Sequence, residues 1–216
     1  MTKPLIRERI VISWFLSGLE DFFYAFKIHS PWRYEPFLCS IGFEKISKAY
    51  ILALNAAKYE NLKWHDAKEM VNCLAKKRGH HLKKMVKEIK NHVNDPDPES
   101  ILNNSSAKLK DNHKTTLEAM EAAYLECRYP VPSYFHEKFP VASILVNGHP
   151  VVYDDPIGST NFVNFCASFA GKISKYLKKN FDISISRKRF DSVVNGNASD
   201  GFCNRYLQYF TLNDST

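Results

Sequence analysis

Glycine is scarce in this chain, at 8 of 216 residues. That scarcity argues against a glycine-rich nucleotide-binding architecture, and neither GxxxxGK[ST] nor GxGxxG occurs. GxSxG, HExxH and DFG-type strings are missing too, so the common hydrolase, zinc-protease and kinase signatures are absent. Cysteines are few and odd in number: Cys39, Cys73, Cys127, Cys166 and Cys203, with no CxxC pair. Three lie in apolar strings (LCSIGF, LECRY, NFCASF), so buried reduced thiols and a cytoplasmic location are expected. No apolar run reaches bilayer length. The longest near the N-terminus, Ile10 to Leu19, meets Glu20 and Asp21, and no small-residue cleavage pattern follows. It reads as a buried first helix, and no membrane partner is expected.

What remains is a chain able to build a core. Hydrophobic residues make up 44% and aromatics 13%, with 15 Phe and 11 Tyr. The net charge is +7, unevenly spread. From Lys58 to His92 ten Lys/Arg face four Asp/Glu; from Lys172 to Arg189 seven face one. Each segment is +6, which leaves the remainder of the chain at −5. Two concentrated basic segments are the footprint of polyanion binding, although a solvated lysine-rich helix face has the same composition.

Apolar residues recur at three- and four-residue steps over most of the chain. Ile6, Ile10, Trp14, Leu16, Leu19, Phe23 and Phe26 mark a first helix over 5–28, whose other face also carries Phe15 and Phe22. Such girth suits a helix central to a bundle or buried in a homodimer. Gly18 is a tolerable interruption. Further helices are expected over 36–59, through Ala67 to Leu74 with Gly79 ending it, from Leu82 to Val93, over 114–127, and over 159–180. Pro96 and Pro98 forbid continuation, so Asn94 to Asn112 is expected to be a mobile, protease-sensitive loop. Asn147-Gly148, between two β-prone runs, predicts a small β-hairpin. The fold expectation is all-α: an up-and-down bundle of at least five helices with that hairpin as an insertion. Residues 1–183 would form the bundle and 184–216 a C-terminal extension packed on it or trailing it. The expected core is Trp14, Leu19, Phe23, Ile41, Ile46, Tyr50, Leu74, Met85, Leu125, Phe165 and Phe169.

Few residues suggest chemistry directly. His80 and His81 are adjacent, about 100° apart on a helix, and make a poor chelating pair. A capping or surface role fits them better, and neither a metal nor a cofactor is expected. Asp155 to Asn161 precedes a helix whose first N–H groups could hold a phosphate, but an ordinary capped start explains it as well.

Three strings, in order, resemble the HEPN superfamily of small helical bundles. Phe37 to Leu54 (FLCSIGFEKISKAYILAL) is similar to the family's second helix, with Glu44, Lys45, Lys48 and Ala49 matching its EK-x-x-KA core. His80-His81-Leu82 resembles the HDL-like start of the next long helix, with His81 in place of Asp. Tyr124 to Pro130 ends in the "RYP" of many members. The resemblance covers about residues 5–180. It implies an up-and-down bundle of four or five helices, frequent homodimers, and binding of RNA or nucleotides. Many members are metal-independent ribonucleases, acting as toxins or in phage defence. Those carry an Arg and, four to six residues later, a His on one helix facing the dimer mate. The Arg stabilises the scissile phosphate and the His acts at the 2′-OH.

This chain departs at that motif. Its nearest pair, Arg128 and His136, has seven residues between, including Pro130 and Pro132, so one helix cannot carry both. The leading expectation is therefore a HEPN-like, non-catalytic binding module for RNA or a nucleotide-containing ligand, with a place in stress or phage defence implied by the resemblance. Lys76, Lys77, Arg78, Lys83, Lys84, Lys179, Arg187 and Arg189 are its candidate phosphate contacts. The alternative is a metal-independent ribonuclease in which a turn at the prolines joins Arg128 and His136. The third reading is a protein-interaction bundle, and in that case Arg128 merely caps its helix beside Tyr129.

Overall fold

The apolar spacing becomes helix. A computed structural model describes residues 5–27, 34–105, 115–128, 144–146, 149–151, 160–194 and 209–210. Among them are α1 (Ile6–Lys27), α2 (Tyr34–Leu54), α3 (Trp64–Lys76), α4 (Leu82–Lys90), α5 (Asp97–Leu102), α6 (Thr116–Arg128), α7 (Thr160–Phe181) and α8 (Arg187–Val194). The body is all-α. The expected hairpin insertion finds no support beyond two three-residue stretches, Ile144–Val146 and His149–Val151, which pair antiparallel. Its turn, Asn147-Gly148, lies outside the described residues, and no side chain of either stretch is described.

The central helix is α2, not α1. Helices α1, α3, α4, α6 and α7 all pack on it. From Cys39 to Ala53 it is buried at every position but Ile41 and Lys45. A helix apolar on all sides has to sit inside. Phe43 stacks on Phe169 of α7 at 3.6 Å and 9° between rings, and Tyr50 meets Tyr176 and Phe181 edge-on. Burial of these rings supplies much of the hydrophobic drive, at about 25 cal/mol per Å² of apolar surface.

The α1–α2 contact is the closest in the bundle. A Cβ on Gly18 would lie 2.7 Å from Gly42 O and 2.7 Å from Ile46 Cγ1; one on Gly42 would lie 2.7 Å from Gly18 O. The two backbones touch because neither residue carries a side chain. Gly18 is thus a requirement of the crossing. Around it, Ile10, Val11, Ile12, Phe15, Leu19, Phe22 and Phe23 are all buried within one chain. The girth of α1 is covered without a second copy, which removes that argument for a dimer.

Several expectations are corrected. Trp14 and Ile41 are only partly buried, whereas Phe15, Phe22 and Phe43 are fully so. The Leu125 side chain lies outside the described residues. Residues 94–105 are not a bare loop. Pro98 stands at the start of α5, where a missing N–H costs nothing, and Ile101 and Leu102 are buried. The Asp95 carboxylate accepts the Asp97 N–H at 2.9 Å, and that bond is the main cause holding its pKa below the usual value. Residues 106–112 of the expected loop lie outside the described residues. Past Ile183 the chain forms a further helix, α8, where sequence periodicity suggests little. Phe190 of α8 is buried, meets Phe23 edge-on at 6.2 Å, and lies 5.1 Å from the Phe210 ring.

Candidate functional site

Glu44 and Lys48 stand one turn apart on α2, both nearly inaccessible, with side chains 10% and 6% exposed. Lys48 Nζ donates to Glu44 Oε1 at 2.5 Å. Glu preceding Lys by four residues is the favourable helical order, and two buried charges tolerate the interior only as a pair. The second oxygen, Oε2, lies 2.5 Å from Nδ1 of His80.

His80 reaches that point because α3 ends sharply. Gly79 has φ of +56°, a left-handed conformation in which a side chain would be strained, and its N–H donates to Lys76 O. The chain then turns back into α4. Tyr124 of α6 lies against His80 with ring centroids 4.0 Å apart, and its hydroxyl is 2.8 Å from Nε2. Phe37 stacks on the Tyr124 ring in turn, at 5.7 Å.

A carboxylate only accepts, so Nδ1 of His80 donates to Glu44. In the neutral imidazole, Nε2 then accepts from the Tyr124 hydroxyl; in the imidazolium both nitrogens donate. The result is a chain from Lys48 through Glu44 and His80 to Tyr124. Its inner end is buried, and its outer end, the His80 side chain, is 43% exposed. An imidazole fixed by a carboxylate is the usual arrangement for acid–base work or for presenting a defined ring nitrogen to a ligand. His80 is therefore neither a cap nor a free surface histidine. The first non-helical residue before α4 is His81, which makes no side-chain cap bond.

The candidate phosphate contacts are deployed unequally. Lys76, Lys77 and Lys84 are exposed and have no ion pair among the described residues. Arg78 is committed: it forks onto Glu88 at 3.0 and 2.7 Å and caps Leu74 O at 2.9 Å, bracing the α3–α4 turn. Lys83 is held by Glu118 at 2.6 Å. Lys179 is exposed, Arg187 pairs with Asp191 at 2.9 Å, and Arg189 is half-buried. The two basic segments do not merge. The first adjoins Glu44, whereas Asn180, next to Lys179, donates to the Tyr50 hydroxyl at 2.8 Å. Tyr50 is six residues, or about 9 Å, further along α2.

Arg128 is the last residue of α6; its side chain, all of His136, and residues 152–159 of the phosphate-loop candidate lie outside the described residues. No group of three or more His, Cys, Asp or Glu arranged to hold a metal occurs among the described residues, and no helix there is long and apolar enough to cross a membrane.

In the sequence, Glu44 and Lys48 stand out only as part of a string, and Tyr124 gives no sign of meeting His80. One signal is there: two charges four apart in an otherwise apolar helix must be paired and shielded. Nothing in the sequence points from them to residues 36 and 80 positions further on. Comparison of the chain with protein-family models, with curated proteins and with solved structures gives no match.

Proposed function

We propose that this chain is a HEPN-like helical module that binds RNA or a nucleotide-containing ligand at the α3–α4 turn. One observation carries the reading. Lys76, Lys77 and Lys84 are exposed and without ion pairs among the described residues, and they lie on either side of the half-exposed His80. Three ammonium groups around a fixed imidazole suit a phosphate-bearing ligand. The HEPN-like assignment draws on a second point. The three resembling strings meet in space: Glu44 comes from the first, His80 from the second and Tyr124 from the third. The homodimer that the resemblance implies would have to use a face other than α1.

The test is titration of labelled single-stranded RNA against salt. Salt-sensitive binding without cleavage is expected. Substituting Lys76, Lys77 and Lys84 by Ala together should lower the slope of log K against log salt by about 2, near 0.7 for each phosphate no longer neutralised. Metal-independent cleavage abolished by both Arg128→Ala and His136→Ala would replace this reading with the ribonuclease. No binding at low salt would remove both and leave a protein-interaction bundle.

A further inference from the structure

On α7, Asn164, Ser168 and Lys172 are spaced by four and form one polar stripe, with Phe165 and Phe169 beside it. Ser100 and Ile101 of α5, with Asn104 just beyond it, face that stripe. Between them is a cleft of about 290 Å³. Its floor is rigid. Phe43 of the central helix stacks on Phe165 at 5.9 Å and on Phe169 at 3.6 Å, with 9° between the planes in both cases.

The chemistry of the walls is specific. Lys172 brings a charge to the rim, but Asp97 neutralises it at 2.9 Å. Asp97 is itself fixed by the Tyr176 hydroxyl, which donates to its other oxygen at 3.3 Å. The remaining polar groups are uncharged. Ser100 donates its hydroxyl hydrogen to Asp97 O at 2.7 Å and keeps its lone pairs. The Asn164 amide and the Ser168 hydroxyl make no side-chain hydrogen bond to any described residue, although both are partly buried. Uncommitted donors and acceptors on an apolar aromatic floor, with no net charge, are what an uncharged hydroxylated ring needs. Its hydroxyls exchange bonds with the amide and the serine, and its C–H face lies toward Phe165. At ~30 Å³ per water the cleft holds about ten waters, which matches one sugar ring and little more.

We infer that the α5–α7 cleft is a binding site for an uncharged furanose or pyranose ring, either a free monosaccharide or the ribose of a nucleoside. It is independent of the α3–α4 surface, and its occupancy should be insensitive to salt. The test uses the full chain, with glucose, ribose, adenosine and inorganic phosphate as probes, read by two-dimensional amide NMR and calorimetry. Saturable binding of ribose and adenosine, or of glucose and ribose, with shifts at the Asn164 side-chain amide, is expected. The first pattern identifies a nucleoside site and the second a saccharide site. Asn164→Ala should weaken binding about tenfold, the worth of one hydrogen bond. Ser168→Leu should fill the cleft and abolish binding while the thermal melt still shows a folded protein. Three results would overturn the inference: no binding of any sugar or nucleoside at ~10 mM to folded protein, affinity unchanged in both variants, or inorganic phosphate competing for the cleft. Each can occur with RNA binding at Lys76, Lys77 and Lys84 intact, so failure here is separable from failure there.

Discussion

Replacing Gly42 with Ala tests the α1–α2 crossing most directly. In isolation the change should help, because Ala is favoured over Gly in a helix interior by about 0.8–1.0 kcal/mol. In this bundle the new methyl would sit 2.7 Å from Gly18 O and 2.7 Å from Phe22 Cδ1, where ordinary contact begins at 3.4 Å. The obstacle on one side is backbone, and Phe22 is fully buried, so neither yields freely. Relief means separating α1 from α2 by about 0.7 Å. A gap of that size forfeits roughly a quarter to a half of each ~0.1–0.2 kcal/mol contact across the interface. Such overpacking costs about 1–3 kcal/mol, and the backbone clash puts this site in the upper part of that range. Net of propensity, the loss should be about 1–2 kcal/mol. For a chain of this length the melting temperature should then fall by about 2–8 °C. Gly18→Ala should behave alike. The double variant should lose about 1 kcal/mol less than the sum, because helices already parted accommodate the second methyl. Urea unfolding followed by far-ultraviolet circular dichroism measures all four corners of the cycle. A Gly42→Ala protein as stable as the parent, or more stable by the propensity difference, would refute the backbone-to-backbone crossing.

Three further outcomes are expected. Glu44→Ala should destabilise by about 3–5 kcal/mol, since it strands the Lys48 charge in the interior; adding Lys48→Met should recover much of the loss in urea unfolding. Phe190→Ala should cost about 3–5 kcal/mol if α8 is an integral wall against Phe23, and a loss below about 1 kcal/mol would mean it only trails the bundle. Asp21 has its pKa raised above 3.8 by burial, which outweighs the attraction of Lys45 at 2.7 Å. The folded state therefore holds this proton more tightly than the unfolded chain. Its stabilising contribution is full below the unfolded pKa and is lost as pH rises through the folded one. Asp21→Asn should thus melt higher than the parent at neutral pH, with the gain closing below pH 3.8; a lower melt at neutral pH would show the Lys45 pair to dominate.

The sequence by itself determined the helices whose apolar residues repeat without interruption. Periodicity depends only on neighbours three and four positions away, so α1, α2, α4 and α7 could be bounded to within a few residues at most ends. It also located Gly79 as the stop of α3, because a left-handed residue is a local need. It failed where the deciding contact was remote. Pro98 reads as a breaker unless one knows that the following turn buries Ile101 and Leu102. Arg187 to Val194 has too few apolar residues to declare a helix, and Phe190 gains its meaning only from Phe23, far back in the chain. Gly18 and Gly42 carry no side chain to announce a partner; only the crossing of α1 and α2 makes their bareness necessary. The Lys48–Glu44–His80–Tyr124 chain and the α5–α7 cleft are decided in the same way. Each joins side chains from different helices, and hydrogen bonds and cavities form between surfaces that local chain preferences do not bring together.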